Sequence, residues 1–237
     1  MRKGKKQFLV ETESRPRFWS RPNLDQVCQE LGIDLFGVAD VSEIKKDFLL
    51  SSQIMERFDK AISLGLRLSA SILGEIETQP TKLYFHHYRS VNAFLDWAAL
   101  RLAGFIQDKG YQALPIPASQ IVNWEKQIGH LSHKRIGYLA GLGWRGRNNL
   151  LVNKTFGSQF RLVTVLTDMP LKVDKPTRGN CGSCRDCILV CPVGAIKEEP
   201  SDFDRMKCLE KLKEFQRQHI VDQYICGICV KACRGRR

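Results

Sequence analysis

Cys181-Gly-Ser-Cys184-Arg-Asp-Cys187-Ile-Leu-Val-Cys191-Pro192 decides how this chain is read. Its spacing is C-x₂-C-x₂-C-x₃-C-P, the run that presents thiolates to iron–sulfur clusters, in which the fourth cysteine ligates the other cluster of a pair. The run therefore predicts a second set of thiolates downstream. Cys208, Cys226, Cys229 and Cys233 supply it. The crossover rule assigns Cys181, Cys184, Cys187 and Cys233 to cluster 1. Cluster 2 takes Cys191, Cys208, Cys226 and Cys229. Two [4Fe–4S] clusters are expected.

The rival readings of the cysteines are weaker. A disulfide framework needs an export signal, and Met1-Arg-Lys-Gly-Lys-Lys6 is followed by only four residues before Glu11, too short an apolar core. A zinc site takes four ligands in two pairs and does not explain three cysteines at x₂-x₂ followed by x₃-C-P. Cys28, the ninth cysteine, sits on the apolar face of a helix predicted over residues 23–31 and reads as a core residue.

Composition narrows the class. The 237 residues are 43% hydrophobic and 26% charged, enough to bury a core. No apolar run is long enough for a transmembrane helix, so the expectation is a cytoplasmic protein with no membrane partner. The formal net charge of +12 suits an acidic electron donor, a phosphate-bearing cofactor or a nucleic acid. An exposed, solvated basic surface accounts for it equally well. A two-cluster carrier needs only about 60 residues. The long upstream stretch calls for a catalytic or cofactor-holding domain.

Upstream, the reading divides the chain into a basic N-terminal arm (1–21), an α+β domain (22–172) and the cysteine module (173–237). Residues 34–40 read as a buried strand. Residues 43–74 read as helical, interrupted at Gly65. An aromatic and imidazole-rich stretch, 82–89, precedes a helix from about Val91 to Lys109 with Leu95, Ala98, Leu102 and Ile106 on one face. Tyr111 to Pro117 reads as a strand near a sheet edge because of its prolines. Ser132 is placed to cap a helix at 133–139. A glycine loop at 140–147, strands at 149–153 and 160–167 with a turn at Gly157, and a linker at 168–180 complete the domain. The segment 210–217 reads as a short helix between Cys208 and Cys226.

Ala140-Gly-Leu-Gly-Trp-Arg-Gly-Arg-Asn-Asn-Leu-Leu-Val-Asn153, followed by the displaced-cysteine module, resembles the epoxyqueuosine reductases, relatives of the reductive dehalogenases. Leu31-Gly-Ile-Asp-Leu-Phe-Gly-Val-Ala39 resembles that family's opening helix and strand. The likeness covers about residues 23–233. It implies a nitroreductase-like α+β domain that binds cobalamin, with a ferredoxin-like double-cluster module packed against it. It further implies electrons arriving from a low-potential donor such as ferredoxin or flavodoxin, a protein acid supplying a proton, and tRNA as the substrate carrier. The loop Gly141, Leu142, Gly143, Trp144, Arg145, Gly146, Arg147 and Asn148 becomes the expected cofactor-binding stretch. Bare backbone lets a large ring or its phosphate-bearing tail approach closely, and the arginines suit phosphate or a nucleic-acid backbone.

The chain departs from the family twice. The family's proton-donating aspartate, expected before the glycine loop, is missing from residues 115–133. His130, His133 and Tyr88 become the candidate acids, with His86 and His87 behind them. The second departure is that the chain closes shortly after Cys233, where longer members carry helical repeats that hold tRNA. Any tRNA contact is then expected from the basic arm or from Arg234-Gly-Arg-Arg237. The alternatives kept open are a corrinoid-dependent reductase of a small molecule or partner protein, and a non-enzymatic electron-transfer protein.

Overall fold

A computed structural model describes residues 21–125 and 127–235. Residues 1–20 of the basic arm, together with Arg236 and Arg237, lie outside it.

Helix α1 (Arg21–Glu30) buries Leu24 and Cys28 and stops at Gly32, which takes the left-handed φ of +73°. Strand β1 (Leu35–Asp40), helix α2 (Ser52–Arg57), strand β2 (Lys60–Arg67) and helix α3 (Ala70–Gly74) follow. Helix α4 (Lys82–Asp108) is one continuous 27-residue helix. Thr81 caps it, its Oγ1 accepting from the Tyr84 N–H at 3.0 Å. The aromatic stretch 82–89 is therefore the first two turns of the same helix. Strand β3 (Ala113–Ile116), helix α5 (His133–Leu139), the short strands β4 (Trp144–Arg145) and β5 (Leu151–Val152), and strand β6 (Phe160–Thr167) complete the domain.

The sheet order is β1-β2-β6-β3, with every neighbouring pair antiparallel. The proline-bearing β3 is an edge strand, as its composition demands. Both faces of the sheet are covered. On one, Ile62, Leu64, Val163 and Val165 pack against Leu95, Leu102 and Ile106 of α4. On the other, Ala61, Leu162 and Leu166 pack against Ile136 of α5. Each such fully buried aliphatic side chain contributes about 1.5–3 kcal/mol. Gly137 lets α5 sit close, since a Cβ there would meet Leu151 Cδ2 at 2.7 Å.

Three expectations change. Residues 60–67, read as helical, are the central strand β2. A strand buried on both faces is a continuous apolar run, which periodicity alone cannot separate from a buried helix. The glycine loop is partly a hairpin, because β4 pairs with β5. The segment 168–180 is a packed strap rather than a loose linker. The Asp174 N–H donates to Val38 O at 2.8 Å, and the Val38 N–H donates to the Asp174 carboxylate at 2.9 Å. The strap thereby closes the free edge of β1.

Downstream, helices α6 (Asp186–Leu189), α7 (Arg205–Arg217) and α8 (Ile228–Ala232) carry the cysteines between loops. Phe215, Val221, Ile225 and Ile228 join the core beneath α4. Gly227, at φ +83°, lies flat on Tyr84 and Ile76, where a Cβ would come within 2.7 Å of both. Lys231 Nζ donates to Gly74 O (2.9 Å) and Ile76 O (2.5 Å). The Ser158 N–H donates to Cys233 O at 3.1 Å. The cysteine module is thus seated on α3, α4 and the turn before β6.

Candidate functional site

None of the nine cysteines forms a disulfide. The eight between residues 181 and 233 are sorted by their mutual influence. Burial pushes the Cys187 thiol up to about 11, and Cys233, Cys181 and Cys184 add to the rise. Burial also holds Cys233 above the usual thiol range; Cys181 adds to this, while hydrogen bonds from Ser158 and the Gly235 N–H oppose it. Cys226 is pushed up to about 11 by burial; the Ile228 N–H opposes, and Cys208 and Cys191 reinforce. Cys229 is driven well above its usual value by burial, with Cys226, Cys208, Cys187 and Cys191 adding to the rise. Cys181, Cys184, Cys187 and Cys233 therefore lie together, and so do Cys191, Cys208, Cys226 and Cys229, with Cys187 and Cys229 linking the groups. Among the described residues, no three His, Cys, Asp or Glu side chains converge as a single metal ion needs. Backbone donors already face the sulfurs: the Ala195 N–H reaches Cys191 Sγ at 3.3 Å. Such donors stabilise a negative cluster.

Cys28 stands apart on α1, 2% exposed, its thiol pushed up to about 12 by burial and by Asp25. It belongs to the core.

Two adjoining cavities open beside the second group. One, about 560 Å³, is lined by His130, His133, Lys134, Arg161, Arg205 and Val230, among others. The other, about 640 Å³, is lined by Arg135, Tyr138, Trp144, Arg145 and Arg178, among others. Ser132, Lys134, Asn149, Leu150 and Leu151 belong to both walls. Val230 follows Cys229 directly, so one wall abuts the thiols. Lys134 acts on Cys208, opposing the rise that burial and Cys191 impose. The Lys134 ammonium is itself pushed down by burial and by Arg145, Arg205 and Arg161. Against this concentration of cations the walls offer one carboxylate, Asp47, which Arg135 already pairs at 2.7 Å. Such a cleft suits an anionic ligand.

The expected loop residues divide. Trp144 and Arg145 line the larger cavity. Trp144 Nε1 is buried without a hydrogen-bond partner, an orphaned donor in the cavity wall. Gly141, Gly143 and Gly146 are taken up by the chain's own close approaches, to Lys175 and Val152. Leu142 and Asn148 are buried. Arg147 turns away, to the carbonyls of Gly182, Cys184 and Glu198.

The candidate acids differ sharply. His133 has both ring nitrogens engaged: Nε2–H donates to Pro117 O (2.9 Å) and Nδ1 accepts from the Thr164 hydroxyl (2.8 Å). Burial lowers its pKa to about 4, and Arg161 assists. It stays neutral and tied. His130 Nδ1 donates to Leu49 O at 2.9 Å. His87 Nε2 accepts from the Ser69 N–H. Tyr88 is different. Its hydroxyl accepts from Arg161 Nη2 (3.1 Å) and exchanges a hydrogen bond with Ser119 Oγ (2.9 Å). The Arg161 guanidinium also lies 4.3 Å from the ring centroid. Burial works to raise this phenol's pKa, but Arg161 and the hydrogen bonds outweigh it, and the net shift is downward. Arg161 is the residue that sequence reasoning missed. It is the second residue of β6, in a strand whose pattern suggests only packing.

No family profile matches the chain. An epoxyqueuosine reductase of Cyclobacterium marinum is 25% identical over 241 residues, covering 90% of this chain and 77% of that protein. The Escherichia coli epoxyqueuosine reductase is 45% identical over 73 residues, 31% of this chain and 19% of that one. In sequence the chain is similar to epoxyqueuosine reductases. Its fold is shared with a catabolic reductive dehalogenase solved with 3-bromo-4-hydroxybenzoic acid (TM-score 0.71, 20% identity, 87% of this chain and 30% of that one). The Streptococcus thermophilus epoxyqueuosine reductase has the same fold (TM-score 0.59, 18% identity, 90% of this chain and 65% of that one). The chain thus spans less than a third of the dehalogenase and just under two thirds of that solved reductase. These curated homologues are oxidoreductases by name. No described helix is long and apolar enough to cross a membrane.

Proposed function

We propose that this protein is an iron–sulfur and corrinoid-dependent reductase acting on epoxyqueuosine in tRNA. Two [4Fe–4S] clusters would be held by the two groups of four thiols and charged by a low-potential donor such as ferredoxin or flavodoxin. The carrying observation is the cation-lined cleft set directly against one of those groups. The names of the homologues and a neighbouring structure solved with an epoxyqueuosine-modified tRNA stem-loop support the substrate.

The residues fit a cobalamin on three counts. The cleft is large, its cations suit the phosphodiester of the nucleotide tail, and the orphaned Trp144 N–H awaits an acceptor of the amide type found around a corrin. Trp144, Arg145, Lys134 and Arg178 would hold it. When bound, the cobalt supplies the centre at which electrons from the clusters meet the substrate.

The remaining chemistry belongs to the chain. Converting an epoxide to an alkene releases its oxygen as water and consumes two electrons and two protons, so the site needs an acid. Tyr88 is assigned that role: it lines a separate cavity with Ser119 and Trp124 and meets the cleft through Arg161. Its phenol is held by Ser119, and the Arg161 guanidinium stabilises the phenolate left after proton transfer. His133 positions Pro117 and Thr164 as a neutral donor and acceptor.

The test is a full-chain assay. Anaerobically reconstituted protein is given cobalamin, a chemical reductant and tRNA bearing epoxyqueuosine, and nucleosides are read by mass spectrometry. Queuosine is the expected product. Unchanged epoxyqueuosine from protein that holds both cofactors contradicts the substrate.

A further inference from the structure

We infer that Arg147 is the positioning residue of cluster 1, gathering its ligand loop and fixing a positive charge beside it. The inference rests on the two-cluster reading above. Arg147 stands in the β4–β5 turn, where a phosphate-binding role is the natural expectation from sequence. Its guanidinium does something else. Nε donates to Glu198 O at 2.6 Å, Nη1 to Cys184 O at 2.8 Å and Nη2 to Gly182 O at 3.0 Å. Its side chain is only 14% exposed, between the buried Gly146 and Asn148. Three of the five guanidinium N–H groups are thus spent on backbone carbonyls on the cysteine side of the molecule. A rigid planar fork does this, and a lysine's point charge does not.

The loop that it holds carries Cys181 and Cys184. It is a tight turn: the Cys184 N–H donates to Cys181 O at 3.1 Å, and Gly182 takes φ +52° with its N–H on Asn180 Oδ1. In a trans peptide the C=O and the following N–H point in opposite directions. Carbonyls drawn to Arg147 at residues 182 and 184 therefore turn the N–H groups of Ser183 and Arg185 away from it. Hydrogen bonds to cluster sulfurs are among the levers that set a cluster's potential. Arg147 controls which way those donors face.

Charge acts in the same direction. Glu198 offsets Arg147 only weakly. Its carboxylate is 3.5 Å from Arg147 Nε and is taken more closely by Arg185, at 2.8 Å. A reduced cluster is more negative than an oxidised one, so a nearby fixed cation favours reduction. Cluster 1 then accepts an electron more readily than it would without Arg147. Cluster 2 has its own cation in Lys134, acting on Cys208.

The experiment is a redox titration of reconstituted holoprotein followed by electron paramagnetic resonance, on the parent, Arg147→Gln and Arg147→Lys. The expected result for Arg147→Gln is one signal shifted to more negative potential and the other unmoved. Loss of about half the iron from that variant supports the same conclusion through the loop-holding role. Arg147→Lys keeps the charge, so its potential returns towards the parent's, while its signal broadens because one ammonium cannot hold three carbonyls. The inference is overturned by two signals that titrate as in the parent in both variants, or by two that move together. A parent with no iron–sulfur signal overturns the two-cluster reading and this inference together. A parent with two signals and an indifferent Arg147→Gln overturns the inference alone.

Discussion

The sheet domain and the cysteine module hold themselves together in different ways. In β6, seven of the eight residues are buried, and both faces are sealed by helices. In the run from 181 to 191, Cys187 alone is fully buried, Leu189 is 80% exposed, and the only helix is the four-residue α6. The first region is stabilised by apolar burial that needs no cofactor. The second has too little apolar surface to fix its loops. Under the proposed function, bound clusters would fix these loops, binding as thiolates cysteines such as Cys187 and Cys229 that burial otherwise keeps protonated. Tyr84, Ile76 and Arg147 join the two regions.

The contrast sets an order of expected effects. Cys184→Ser comes first. It should lose about half the iron by colorimetric assay and unfold the loops around cluster 1, while far-ultraviolet circular dichroism of the sheet domain persists. Equal iron in variant and parent would break the comparison. Tyr88→Phe should lower turnover about 10²–10⁴-fold with iron and corrin content intact. In the parent, turnover should fall as pH rises through the Tyr88 pKa, which lies below the ordinary phenol value, because the acid form is lost above it. A pH profile flat up to the ordinary phenol range would remove Tyr88 from its role.

Leu102→Ala, at a position fully buried between α4 and the sheet, should cost about 2–5 kcal/mol in urea unfolding without changing the iron bound per folded chain. Cys28→Ser sharpens the same point on a cysteine. Its iron content should match the parent's, and its stability should fall by about 1–3 kcal/mol as a hydroxyl enters an apolar site. Asp40→Asn removes a surface pair with Lys60 at 2.7 Å and should cost less than about 1 kcal/mol by the same unfolding measurement.

The same contrast explains what the sequence could reveal. The cysteine module was legible as a unit because cysteine spacing is read residue by residue: C-x₂-C-x₂-C-x₃-C-P survives any local conformation. The sheet domain was legible where burial is one-sided, as in the α4 face and the Ser132 cap, whose Oγ accepts from the Arg135 N–H. It failed at β2, where burial on both faces erases the period. The site needed the fold itself. Arg161 meets Tyr88 only because β6 runs beneath α4, and Arg147 reaches the carbonyls of residues 182 and 184 only because the β4–β5 turn docks on the module. Neither contact leaves a local sequence pattern.

The central claim is that the thiol groups and the cleft beside them form one electron path to a corrin. The direct measurement is iron, sulfide and corrin content of the full chain after anaerobic reconstitution with cobalamin and desalting. The account predicts about eight irons, matching sulfide and about one corrin per chain, with the corrin absorbance retained. Protein that carries its iron but elutes without corrin would contradict it.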